Sequence, residues 1–117
     1  MKHFQHSEFD SPDQPGSGTL MDEHFLAVLD NMREQAGIPF AINSGYRTQA
    51  HNMKVGSTPN SAHTRGMAAD IQATTSRERY LIIAAAMLNG IKRIGVGKTF
   101  VHIDIDTTLP WPCIWVY

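Results

Sequence analysis

Leu20, Phe25, Leu26, Val28, Leu29 and Met32 recur at three- and four-residue steps. That spacing sets them along one stripe and predicts an amphipathic helix over 22–35, stopped by Gly37 and Pro39. Phe40-Ala41-Ile42-Asn43 predicts a short strand, and the turn formers Ser44-Gly45 lead towards a second short helix over 49–54. The stretch 55–64 is rich in Gly, Ser, Thr, Pro and Asn and has no apolar period, so it reads as a loop. Such a loop in a compact domain is more often functional than idle.

Met67-Ala68-Ala69-Asp70-Ile71 reads as a buried strand whose small residues allow close packing under another element. Thr75-Ser76-Arg77-Glu78 has the form of a capping box, and an apolar helix continues to Leu88, closed by Asn89-Gly90. In the tail, strands are expected over 93–96 and 99–105 around a hairpin turn at Gly97-Lys98, with a last edge strand over 113–117. Residues 1–19 are polar and interrupted by turn formers between Ser11 and Gly18, which predicts an irregular arm tacked to the core by Phe4 and Phe9. Helices followed by clustered strands, without an internal repeat, predict an α+β fold with helices packed on one small antiparallel sheet.

Composition narrows the function classes. A chain of 117 residues suits a single domain with its own core, so 1–117 is read as one domain including the arm 1–19. Ten Lys and Arg against eleven Asp and Glu give no broad field that would draw nucleic acid or an anionic membrane, and neither is expected as a partner. Cys113 is the single cysteine, which excludes an intramolecular disulfide and a Cys-rich zinc site. Any metal must therefore be held by nitrogen and oxygen. The first residues lack the apolar core of a secretory signal, so the chain is expected to be made in the cytoplasm without a signal peptide, and as a monomer.

The candidate chemistry gathers in two stretches. In Ser61-Ala62-His63-Thr64-Arg65-Gly66-Met67-Ala68-Ala69-Asp70, His63 ends a loop, Gly66 permits a tight turn, and Asp70 lies on the following strand, which can fold back towards the histidine. In Phe100-Val101-His102-Ile103-Asp104-Ile105-Asp106 the period of two puts His102, Asp104 and Asp106 on one face and Val101, Ile103 and Ile105 on the other. Two histidines and a carboxylate, with a fourth position left to water, form the recurring donor set of a catalytic zinc site. Gly95-Val96-Gly97-Lys98-Thr99 is not a phosphate loop, because the first glycine and the strand-to-helix context are missing. Trp111 and Trp115 are expected to close the core near the chain end, and His51 to be structural.

Ser61 to Asp70 resembles the Ser-x-His-x-x-Gly-x-Ala-x-Asp signature of the peptidase M15 family, the zinc D-Ala-D-Ala carboxypeptidases and phage endopeptidases that share a fold with the Hedgehog signalling domain. Asn43-Ser44-Gly45-Tyr46-Arg47-Thr48 resembles that family's Ser-Gly-Tyr-Arg segment, and Phe100 to Asp104 its terminal strand. The likeness runs from the first helix to about Asp106. It implies zinc as cofactor, His63, Asp70 and His102 as ligands, Arg47 as substrate binder and oxyanion stabiliser, and the peptidoglycan stem peptide as partner, with action at the bacterial cell wall or periplasm. Ser61 is expected to hydrogen-bond substrate, to orient a ligand, or to cap its loop.

One position departs from the family pattern. Where several branches carry an acidic general base three residues before the last histidine, this chain has Thr99. Asp104 is the candidate replacement, with Asp106 behind it, and Asp104 is alternatively the residue that holds a ligand imidazole in its tautomer. The departure keeps a second class open, a non-catalytic zinc-containing module that binds peptidoglycan or peptide.

Overall fold

The computed structural model describes residues 1–117. Its helices are α1 (Glu23–Ala36), α2 (Gln49–Lys54) and α3 (Ser76–Leu88), and its strands β1 (Ile42–Ser44), β2 (Ala68–Gln72), β3 (Arg93–Val96), β4 (Phe100–Asp104) and β5 (Cys113–Val116). The α+β expectation holds. In α1, the Asp22 carboxylate accepts the Phe25 N–H at 2.8 Å, and Gly37 closes the helix in the left-handed region. In α3, Thr75 and Glu78 form the expected capping box.

The strands lie in the order β1-β2-β4-β3-β5. Ala69, Ile71, Ile94, Val101 and Ile103 join Phe25, Leu26, Leu29, Met32, Ile82, Ala85 and Ala86 in one buried cluster, so the helices cover one face of the sheet. Asp70, His102 and Asp104 alternate with those apolar residues and belong to the other face. The sheet is antiparallel except at one pairing, where β5 runs parallel to β3. The cause is the connection after β4. Asp104 and Cys113 both pair with Arg93, so the chain steps over the start of β3 without leaving that end of the sheet, and β5 must then run alongside β3 in the same direction.

The arm is more ordered than its composition suggests. It forms two 3-10 turns, His6–Phe9 and Ser17–Leu20, and buries Phe4 and Phe9 as an edge-to-face pair 5.3 Å apart. The Phe9 carbonyl accepts the Tyr46 N–H at 2.9 Å, and Ser11 Oγ accepts the Thr48 N–H at 3.2 Å. The arm thus holds the segment on either side of Arg47.

A third 3-10 turn, Ala62–Arg65, replaces the end of the expected loop. Gly66 ends it at φ +70°, and a Cβ there would lie 2.6 Å from the Leu20 carbonyl oxygen. Gly66→Ala is therefore expected to destabilise the protein by about 1–3 kcal/mol, from backbone strain and a contact with main chain that cannot swing away. Urea unfolding should show a lower midpoint with an unchanged slope. An unchanged midpoint would mean that the turn relaxes freely. No helix is long and apolar enough to cross a membrane.

Candidate active site

Strand register builds the site. Asp70 on β2 is the direct partner of His102 on β4, and on its other side Asp70 pairs with Ser44 of β1. The register shifts between Ile42 and Ser44, which delivers Ser44, and Arg47 just beyond it, to this row. His63 arrives from above, on the 3-10 turn. Ser61 Oγ caps that turn by accepting the His63 N–H at 3.2 Å, and the His63 carbonyl accepts the Arg47 N–H at 3.1 Å. Arg47, His63, Asp70 and His102 thereby converge on a cleft of about 310 Å³, walled further by Ser57, Ser61, Phe100 and Tyr117.

His63, Asp70 and His102 each offer one ligand atom, and these atoms all lie within 4.8 Å of one another. Asp70 Oδ1 is 2.9 Å from His102 Nδ1 and 3.4 Å from His63 Nε2. The imidazole hydrogen bonds on the far sides decide which nitrogens are available. His63 Nδ1 donates to the Gly45 carbonyl at 2.8 Å, which leaves Nε2 facing Asp70. His102 Nε2 lies 2.7 Å from Asp104 Oδ2, which leaves Nδ1 facing Asp70. A carbonyl behind one ring and a carboxylate behind the other is the outer arrangement that metal-binding imidazoles use. The donor set, two nitrogens and one oxygen, fits zinc or another borderline divalent cation.

Titration reflects this crowding. Burial pushes the His63 pKa down, against the pull of Asp70. For His102 burial acts the same way, but Asp104 and Asp70 together outweigh it and hold the pKa above the ordinary imidazole value. Burial raises Asp70, and hydrogen bonds from His102 and His63 overcome it and hold the carboxyl below the usual carboxylate range. Arg47 is pulled down by burial and supported by Asp70, whose Oδ2 accepts from its Nη2 at 3.3 Å. Ser44 Oγ accepts from Arg47 Nε at 3.0 Å, and Asn52 Oδ1 from Nη1 at 3.4 Å.

The family model described as peptidase M15 matches residues 2–105. The chain belongs to the peptidase M15 family. Among solved structures it is similar to the L-Ala D-Glu endopeptidase ChiX of Serratia marcescens, with a TM-score of 0.55 and 20% identity over 77% of this chain and 84% of that one. No curated protein sequence matches the chain.

Within this M15 chain, the sequence-predicted residues divide into two groups. His63, Asp70, His102, Arg47 and Ser61 share the cleft. Asp104 does not line it. One Asp104 oxygen faces His102 Nε2, and the other accepts from Arg93 Nε at 2.8 Å and from the Asp106 N–H at 3.1 Å. Of the two roles the sequence leaves open for Asp104, this geometry matches orientation of the imidazole, because the carboxylate sits behind the ring and away from the cleft. Asp106 is also turned away, bound to Arg65 and to Thr108. His51 lies outside the cleft.

Both tryptophans depart from expectation, for neither belongs to the core cluster. Trp111 is exposed, and the Trp115 ring packs on His102 with 5.4 Å between centroids. Sequence reasoning missed Phe100, Tyr117 and Arg93 as parts of the site or its support. Alternation along β4 puts Phe100 on the His102 face and was a usable signal. Arg93 and Tyr117 depend on strand register, which the sequence does not display.

Proposed function

We propose that the protein is a zinc-dependent peptidase that cleaves a D-amino-acid-containing bond of the peptidoglycan stem or cross-link, as a D-Ala-D-Ala carboxypeptidase or an endopeptidase. The observation that carries this reading is the convergence of His63 Nε2, an Asp70 oxygen and His102 Nδ1 beside the Arg47 guanidinium, in a chain of a peptidase family. The activity named for the Serratia marcescens structure supports the endopeptidase branch.

His63, Asp70 and His102 would hold the cation. Bound there, it would supply Lewis acidity towards the scissile carbonyl and bring a water towards ionisation near neutral pH. Arg47 keeps N–H donors in the cleft while Ser44, Asn52 and Asp70 fix its plane, which suits it to bind the carbonyl oxygen and to stabilise the charge that grows there. Ser61 holds the turn of His63 and offers its hydroxyl at the cleft wall. Phe100 and Tyr117 form an aromatic side against which the stem peptide lies. Asp104 keeps the proton of His102 on Nε2.

The test is digestion of purified peptidoglycan by zinc-loaded protein, with fragments identified by mass spectrometry. Release of free D-Ala identifies the carboxypeptidase, and a new D-Glu amino terminus the endopeptidase. An Asp70→Asn variant should release neither. Binding to the polymer without any cleavage would favour the non-catalytic module.

The sign of the pH dependence follows from His102. Its raised pKa means that the Nδ1 proton persists above about pH 6.5. A cation must displace that proton, so zinc affinity should strengthen by up to about tenfold per pH unit until the His102 pKa is passed, then level off. In the metal-free protein the sign is opposite for this group. Its stabilisation is complete below the unfolded-state pKa and is lost as pH rises through the folded one. Chelator-competition titrations between pH 6 and 9 would check this, and an affinity that is flat across the window would contradict it.

A further inference from the structure

Two side chains outside the cleft converge on His102 from β3 and β5. Arg93 Nε donates to Asp104 Oδ1 at 2.8 Å, while Asp104 Oδ2 meets His102 Nε2 at 2.7 Å. The Arg93 guanidinium carbon also lies 4.9 Å from the centroid of the Trp115 ring, and that ring packs on His102. Arg93, Asp104, His102 and Trp115 therefore close a ring of contacts that includes one imidazole.

The sheet explains how Trp115 gets there. His102 on β4 pairs with Gly95 on β3, and Gly95 pairs with Trp115 on β5. Trp115 and His102 are two strands apart, roughly 10 Å at the usual strand spacing. They touch because nothing stands between them: a Cβ on Gly95 would lie 2.6 Å from Trp115 Nε1 and 2.7 Å from Cε2. The indole lies across the bare glycine. Both β5 and Trp115 fall outside residues 2–105, so half of this support comes from a part of the chain that the family match does not reach.

We propose that Arg93 and Trp115, brought together across Gly95, are positioning residues for the metal centre, fixing the His102 ring so that Nδ1 points at the cation. Arg93 sets the rotation of the Asp104 carboxylate, which sets the edge of the imidazole. Trp115, packed against that imidazole with the two rings tilted by 48°, limits its rotation. Neither residue lines the cleft. The inference rests on the reading of His102 as a ligand.

Zinc affinity, measured by competition with a chromophoric chelator, tests it without recourse to turnover. Arg93→Met and Trp115→Leu should each weaken zinc binding by about 10–100-fold, the usual cost of losing an outer partner. Arg93→Lys should recover part of the loss, because an ammonium restores the charge but not the planar fork. Gly95→Ala should resemble Trp115→Leu, since the added methyl lifts the indole. Metal-free melting temperatures separate this role from a structural one: Trp115→Leu removes only a partly exposed ring and keeps the ion pair, so it reports even where Arg93→Met folds poorly. Wild-type protein that binds no zinc would remove the metal reading and this inference together. Tight binding by wild type, with unchanged affinity in Trp115→Leu and Gly95→Ala, would overturn the inference alone.

Discussion

His63→Ala is expected to reduce peptidoglycan cleavage to background and zinc affinity by well over the roughly 100-fold that outer partners reach. His63 is buried at 3% exposure, and its Nδ1 is committed to the Gly45 carbonyl, so the ring has one orientation and one free nitrogen. Alanine removes that nitrogen and leaves two donors, Asp70 and His102, facing the cleft. Two donors hold a divalent cation poorly and do not define an open tetrahedral position. The Gly45 carbonyl also loses its partner, which should cost about 1–3 kcal/mol and appear as a lower melting temperature. Assays should therefore be run well below that temperature. Retained cleavage by folded His63→Ala would remove this histidine from the chemistry.

Arg47→Ala should come next in size, with kcat lower by about 10²–10³-fold, the typical loss when one preorganised oxyanion donor is removed. Ser44, Asn52 and Asp70 hold the guanidinium from three sides, and the arm holds the backbone next to it through Tyr46 and Thr48. The group is thus preorganised before substrate arrives. Arg47→Lys should remain well below wild type, because an ammonium cannot satisfy three partners in one plane and still face the substrate. Steady-state kinetics separates the two roles assigned to Arg47. A fall in kcat with little change in KM marks stabilisation of developing charge, whereas a rise in KM alone marks anchoring of the ground state.

The parts of the fold that were legible are those with local causes. Phe25, Leu26, Leu29 and Met32 announce α1 because a helix buries one stripe, and Thr75 with Glu78 announces the start of α3 because a helix end needs its N–H groups satisfied. Val101 and Ile103 against His102 announce β4 and its two faces. The approach of Asp70 to His63 was legible locally, from the turn that Gly66 permits before the strand, whereas the placement of His102 and Arg47 beside them was legible through family resemblance, since their separation along the chain carries no distance information by itself.

What was not legible depends on register and on rotation about side-chain bonds. The period of two assigns Asp104 to the face of His102 but cannot say which imidazole nitrogen it meets. The answer rests on Arg93, a cross-strand partner known only once β3 and β4 are aligned. Trp115 looked like a core residue because aromatic rings near a chain end commonly are. Its actual neighbour, His102, is two strands away and is reached only across Gly95. The arm looked irregular because turn formers dominate it, yet Phe9 and Ser11 supply the backbone partners of Tyr46 and Thr48.

The most direct measurement is anomalous diffraction at the zinc edge from crystals grown with zinc. One strong peak is expected, within about 2.0–2.2 Å of His63 Nε2, an Asp70 oxygen and His102 Nδ1. A peak bound elsewhere, or these three side chains ordered around water with zinc in excess, would contradict the account.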